Sequence, residues 1–207
     1  MSASMPTQIA VLVSGSGSNL QAIIDRIEAG DIKAIISCVI SNKPDSLALV
    51  RAGKHGIPTF VLENNSASTR EEYDCRLVET IRQAGADLVV LAGFMRIITH
   101  VMVDAFPNAI MNIHPALLPA FPGLNAQRQA LAHGVRISGC TVHFVDLGTD
   151  TGPIILQTVV PVEQHDTVAT LTARIQEAEH RTYPQAIKLF TEGRIQVEGR
   201  RVLISEQ

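Results

Sequence analysis

Ile9-Ala10-Val11-Leu12-Val13 is followed at once by Ser14-Gly15-Ser16-Gly17-Ser18-Asn19 and then by Leu20-Gln21-Ala22-Ile23-Ile24-Asp25-Arg26-Ile27. The first five of these residues are all apolar, as a strand buried on both faces must be. The last part spaces Leu20, Ile23, Ile24 and Ile27 at helical intervals, and Gly30 stops that helix. A polar, glycine-bearing turn joins the two. Strand, tight turn and helix in this order open a βα unit.

The same alternation continues outward. Residues 35–40 read as a second strand, 47–53 as a short helix and 59–62 as a third strand. Residues 69–84 form a longer amphipathic helix with Tyr73, Leu77, Val78 and Ile81 on its apolar face. Residues 88–92 and 109–113 are further strands. Helices of this length between strands require parallel pairing through right-handed crossovers. The expected class is α/β, a Rossmann-like open, mostly parallel sheet with helices on both faces. The second half changes character. Residues 140–145 and 154–160 are β-rich and predict an antiparallel extension of the sheet. Val168, Leu171, Ile175, Ala178, Thr182, Ala186 and Leu189 trace one face of a long helix from about 166 to 190, and a hairpin around Gly199 follows. With no repeat or linker, residues 1–207 read as a single domain. Its phosphate-binding half is about 8–110, and its folate-binding and catalytic half about 111–207.

Composition narrows the function. The chain has 207 residues, 46% hydrophobic and 18% charged, with net charge −3. That supports a substantial core and argues against an extended nucleic-acid footprint. No apolar run is long enough to span a bilayer and no leader pattern is visible, so a cytoplasmic protein is expected. Cys38, Cys75 and Cys140 are unpaired in pattern and read as buried free thiols of a reducing compartment.

Three motifs carry chemistry. The turn Ser14-Gly15-Ser16-Gly17-Ser18-Asn19 sits where doubly wound sheets bind ligands, and free helix N-terminal N–H groups attract phosphate. A plain turn capped by Ser or Asn is the competing structural explanation. A dinucleotide fingerprint needs glycine at Leu20 and an acidic residue where the second strand ends in Ser41-Asn42. A Walker loop needs lysine where Asn19 stands. A simple phosphate monoester remains. In Asn112-Ile113-His114-Pro115-Ala116-Leu117-Leu118-Pro119, strand alternation puts Asn112 and His114 on one side. An amide donor and an imidazole there can stabilise an oxyanion and handle a proton. In Asp146-Leu147-Gly148-Thr149-Asp150-Thr151-Gly152-Pro153, Asp150 is expected to orient His114 and raise its pKa. The histidine spacings match no metal site, so no metal is expected. No nucleophile lies beside a base, so direct transfer is expected.

These three motifs in this order resemble the phosphoribosylglycinamide formyltransferases, folate-dependent enzymes of purine synthesis. The likeness runs from Ile9 to about Arg194. Ser41-Asn42-Lys43, Leu91-Ala92-Gly93-Phe94-Met95-Arg96-Ile97, Phe121-Pro122-Gly123 and Gln129-Ala130-Leu131 support it. The resemblance implies transfer of a formyl group from 10-formyltetrahydrofolate, the cosubstrate, to glycinamide ribonucleotide. It assigns Asn112, His114 and Asp150 to catalysis, and Gly17, Ser18, Asn19 and Glu179 to the ribonucleotide. Arg70, Met95, Arg96, Ile97, Ile98 and Asn112 go to the folate. It implies small-molecule partners, no nucleic acid, no membrane, and a monomer or homodimer. Ala116 stands where the family usually has Ser, and Asn125 where many members have His. A methionyl-tRNA formyltransferase would need an added RNA-binding domain, and a formyltetrahydrofolate deformylase an added N-terminal one. A catalytically silent phosphate-binding module would leave Asn112, His114 and Asp150 without purpose.

Overall fold

The computed structural model describes residues 5–63, 65 and 67–206. Residues of the central strands alternate between two cores, which is why those strands are largely apolar. Ile9, Val11 and Val13 of β1 (Thr7–Val13) point into one core, with Leu20, Ile23 and Ile24 of α1 (Ser18–Glu28) and Leu171, Ile175 and Ala178 of α6 (Val168–Thr191). Ala10 and Leu12 point the opposite way, against Tyr73, Leu77 and Ile81 of α3 (Arg70–Gln83) and Met102 of α4 (His100–Ala105). Helices therefore cover both faces, as expected.

The remaining elements are β2 (Ala34–Ser41), α2 (Leu47–Lys54), β3 (Thr59–Val61), β4 (Leu88–Leu91), β5 (Ile110–His114), α5 (Ala126–Ala132), β6 (Ile137–Phe144), β7 (Ile154–Pro161), β8 (Ile195–Glu198) and β9 (Arg201–Ile204). The main sheet runs β3-β2-β1-β4-β5-β6-β7. Its first five strands are parallel, and β6 and β7 extend it antiparallel. The β8–β9 hairpin forms a separate small sheet around Gly199. Strand order reverses between β1 and β4, so a crevice opens at their carboxyl ends, the usual ligand position in such sheets.

Most predicted elements lie within two residues of their observed bounds. The reading named no helix for α4 or α5, which are six and seven residues long. Neither is long enough to show a helical period. One cysteine needs correction: Cys38 and Cys140 are buried free thiols, but Cys75 is exposed on α3. Among the described residues, no helix is long and apolar enough to cross a membrane.

Candidate active site

The turn after β1 is held in place by α2. The Gly15 carbonyl accepts the Ala48 N–H at 3.1 Å and the Ser46 hydroxyl at 2.9 Å, and the Ser16 carbonyl accepts Arg51 Nε at 2.9 Å. Gly17 is left-handed, with φ 71°, and an added Cβ would stand 2.6 Å from Ala48 Cβ. Its glycine character therefore serves the close approach of α2, a role the sequence reading did not give it. Neither Ser nor Asn caps α1: the N-cap is Gly17, with no side-chain cap bond. The N–H groups of the first turn are thus left to bind an anion. A cavity of about 460 Å³ opens beside Ser18, lined also by Gln21, Arg26, Arg51, His180 and Arg181. Burial first, and the neighbouring Arg51 second, hold the His180 pKa below its ordinary value, against an opposing pull from Glu177.

Asn19 turns away from the cap and donates Nδ2 to Glu179 Oε2 of α6 at 2.9 Å. The structure thus joins two residues 160 positions apart, both assigned to the ribonucleotide by resemblance. Glu179 is 6% exposed, and burial, only partly offset by Asn19, raises its pKa to about 7.

Across the crevice, loop 92–99 follows β4. Met95 and Ile97 project, each 63% exposed, while Ile98 packs against the α3 core. Arg96 lies over the Tyr73 ring of α3 at 3.8 Å, and Asp74 accepts the Thr99 N–H at 2.6 Å. Arg70 is exposed at the first position of α3, one turn before Tyr73. Five of the six residues assigned to the folate, all but Asn112, therefore divide. Met95 and Ile97 offer apolar side chains, whereas Arg96 and Ile98 anchor the loop and Arg70 sits on a neighbouring helix.

The third group gathers at the end of β5. Asn112 pairs in register with His143 of β6, and His114 with Thr141, so these four side chains share one face. His114 Nε2 donates to the Phe121 carbonyl at 2.8 Å, and its Nδ1 faces Asp150 Oδ2 at 3.2 Å. Asp150 also accepts the Gly123 N–H at 2.8 Å. Its backbone is left-handed (φ 55°), a conformation Asp tolerates better than most residues. Asn112 Nδ2 donates to His143 Nε2 at 3.2 Å, while His143 Nδ1 donates to the Phe144 carbonyl. A carboxamide nitrogen carries two N–H donors, and His143 takes one.

His143 is the residue the sequence reading missed. Its signal was there: Thr141 and His143 alternate within an apolar strand predicted to pair antiparallel. The segment after His114 is pinned by that strand and the next. Thr141 Oγ1 donates to the Ala116 carbonyl and accepts the Leu118 N–H, and Gln157 donates to the Leu118 carbonyl at 2.9 Å. The rigidity expected from Pro115 and Pro119 is thus supplied largely by β6 and β7. Ala116, where the resemblance predicts Ser, is fully buried, and Asn125 is the exposed, left-handed N-cap of α5.

The expected upward shift of His114 needs correction. Asp150 and the Phe121 carbonyl do push its pKa up, but burial outweighs them and His143 adds to the depression. The net direction is down. For Asp150, burial alone would raise the pKa. The nearby His143 ring, its Nε2 3.7 Å from Oδ1, the Gly123 hydrogen bond and the His114 charge overcome it, and the carboxyl lies below its usual range.

A family model described as formyl transferase matches residues 7–187. The phosphoribosylglycinamide formyltransferase of Escherichia coli (strain K12) is 46% identical over 189 residues, covering 91% of this chain and 89% of that protein. The trifunctional purine biosynthetic protein adenosine-3 of Drosophila melanogaster is 48% identical over 188 residues. There the match covers 90% of this chain but 14% of the relative, so the chain spans about one seventh of that longer protein. The crystal structure of glycinamide ribonucleotide transformylase 1 from Symbiobacterium toebii superposes with a TM-score of 0.97 at 51% identity, covering 99% of this chain and 96% of that one.

Proposed function

The chain belongs to the formyl transferase family, and we propose that it moves the formyl group of 10-formyltetrahydrofolate to the primary amine of glycinamide ribonucleotide. The products are formylglycinamide ribonucleotide and tetrahydrofolate, a step of de novo purine synthesis. One observation carries the reading. An uncapped helix N-terminus linked to a buried Glu179 and a largely buried Asn112–His114–Asp150–His143 group lie beside the same crevice of one mostly parallel sheet.

In this reading Gly17, Ser18 and Asn19 hold the phosphate, and Glu179 contacts the same substrate. Met95 and Ile97 line the folate pocket, with Arg96, Ile98 and Arg70 supporting it. The pocket then draws on both halves of a single domain, since residues 95–98 precede residue 111. The amine attacks the formyl carbon, a C–N bond forms, and the carbonyl electrons move to oxygen. Asn112 donates its second N–H to that oxygen. His114 enters neutral, because burial depresses its pKa, and takes the proton leaving the amine, which arrives past the more exposed Asp150. The imidazolium so formed is held between Asp150 and the Phe121 carbonyl, and its charge favours the developing oxyanion through space. It then returns the proton to the folate nitrogen as the old C–N bond breaks and the carbonyl re-forms. Positioning and fixed dipoles supply the acceleration, and no metal takes part.

The partners are these two small molecules. We place the protein in the cytoplasm, as a monomer or homodimer, and the free Cys38 and Cys140 thiols suit a reducing compartment. The test follows tetrahydrofolate formation from 10-formyltetrahydrofolate with and without glycinamide ribonucleotide. Turnover that requires the amine supports the reading. Equal turnover without it points to hydrolysis, and no turnover to a silent phosphate-binding module.

A further inference from the structure

The Ser14 hydroxyl joins three strand ends. It donates to Asn42 Oδ1 at 2.6 Å and accepts the Met95 backbone N–H at 2.8 Å. Ser14 directly follows β1, Asn42 directly follows β2, and Met95 lies in the loop after β4. Ser14 and Asn42 are 5% and 3% exposed, so water cannot readily replace either partner. The bond to Met95 crosses the gap between β1 and β4, where the strand order reverses. The next residue, Gly15, is held by α2 through two bonds to its carbonyl. One side of the crevice is therefore fixed, and Ser14 ties the other side to it. Giving its proton to Asn42 also aims a lone pair of the Ser14 oxygen at the Met95 N–H.

Resting on the formyl-transfer reading, we propose that Ser14 is a positioning residue that sets the separation of the two substrates. It does so by fixing the Met95 backbone, and with it the folate wall, against the loop that holds the ribonucleotide phosphate. A bimolecular transfer is sensitive to that separation, because a misplacement of about 1 Å can cost roughly a hundredfold.

The experiment measures kcat and both KM values, with melting temperatures, for the wild type, Ser14→Ala, Asn42→Ala and the double variant. For Ser14→Ala, kcat/KM for 10-formyltetrahydrofolate should fall about tenfold or more, with folate KM raised. KM for the ribonucleotide should change less than about twofold, since the phosphate loop keeps its own anchors to α2. Asn42→Ala should act in the same direction, and the double variant should be no worse than the worse single, because both cut one chain of bonds. If Ser14→Ala does not fold, Asn42→Ala carries the same test. An unchanged folate KM in an active background overturns the inference alone. So do additive losses that merely follow melting temperature. An inactive wild type overturns the formyl-transfer reading and takes this inference with it.

Discussion

Replacing Gly17 by Ala tests how the phosphate loop is built. Two costs can be worked from the structure. The backbone at Gly17 is left-handed, with φ 71°, which costs an ordinary residue about 1–2 kcal/mol. The new Cβ would also stand 2.6 Å from Ala48 Cβ and 2.7 Å from Ala48 Cα, where carbon contacts normally settle at about 3.5–4.0 Å. Ala48 is fully buried and the second clash is with backbone, so α2 must retreat by about 1 Å. Overpacking of this kind costs about 1–3 kcal/mol. The sum is about 2–5 kcal/mol, which for a chain of this length lowers the melting temperature by roughly 4–20 °C.

Gly15→Ala is the control. No heavy atom lies within 4 Å of its added Cβ, so its melting temperature should stay within about 2 °C of wild type. Thermal melts of the three proteins in one buffer decide the matter. Equal melting temperatures for Gly17→Ala and Gly15→Ala would refute the claim that close packing against α2, rather than room for an anion, makes residue 17 a glycine. The folded Gly17→Ala fraction should also show a raised ribonucleotide KM, since the first turn of α1 moves with the clash.

Two further predictions concern protons. Asp150→Asn removes the strongest upward influence on His114, so the His114 pKa should fall further. With His114 acting as a base, the acid limb of kcat/KM lies below pH 6.5 in the wild type and should move lower still in the variant. Turnover should drop by about 2–4 kcal/mol of transition-state stabilisation; a pH profile with an unmoved acid limb would contradict this. Glu179, raised from 4.5 to about 7, binds a proton in the folded state that the unfolded chain has released, so its contribution to stability is lost as pH rises through that window. Glu179→Gln should therefore gain stability over wild type between pH 5 and 8, by no more than about 3 kcal/mol, while ribonucleotide binding weakens. Parallel melting-temperature curves against pH for the two proteins would exclude it.

The fold was legible in the sequence wherever a run was long enough to show its period. β1 is apolar on both faces because both are covered, and α6 repeats its buried positions over 24 residues. α4 has only six residues and shows no period, and its signal lay instead in the Thr99 cap. The site was legible where its residues are near in sequence. Asn112 and His114 follow from strand alternation alone. His143 lies 31 residues beyond its partner Asn112, and only the register of β5 against β6 brings them together. In sequence Ser14 is only the edge of a phosphate turn, whereas its bond to Met95 spans 81 residues. Such links depend on sheet order, which hydrophobic pattern constrains only loosely.

The sign of the His114 shift shows why chemistry is harder to read than position. From sequence, a carboxylate beside an imidazole argues for a raised pKa. Burial is invisible at that stage, and here it wins. Yet both ring nitrogens of His114 face acceptors, the Phe121 carbonyl at 2.8 Å and Asp150 at 3.2 Å. Only the imidazolium satisfies both, so the neutral ring leaves Nδ1 without a proton to offer Asp150. The surroundings thus offer two acceptors to an imidazolium, the form that burial disfavours. That is the pattern expected of a group complementary to the intermediate rather than to the ground state. A fully protonated resting His114 would spend its interaction with Asp150 before the amine attacks. A ring without Asp150 would hold the proton too weakly to take it from the amine. In the proposed transfer, the depressed but supported His114 lies between these limits, and the proton it would gain on attack would make its interaction with Asp150 strongest when the formyl oxygen carries its charge.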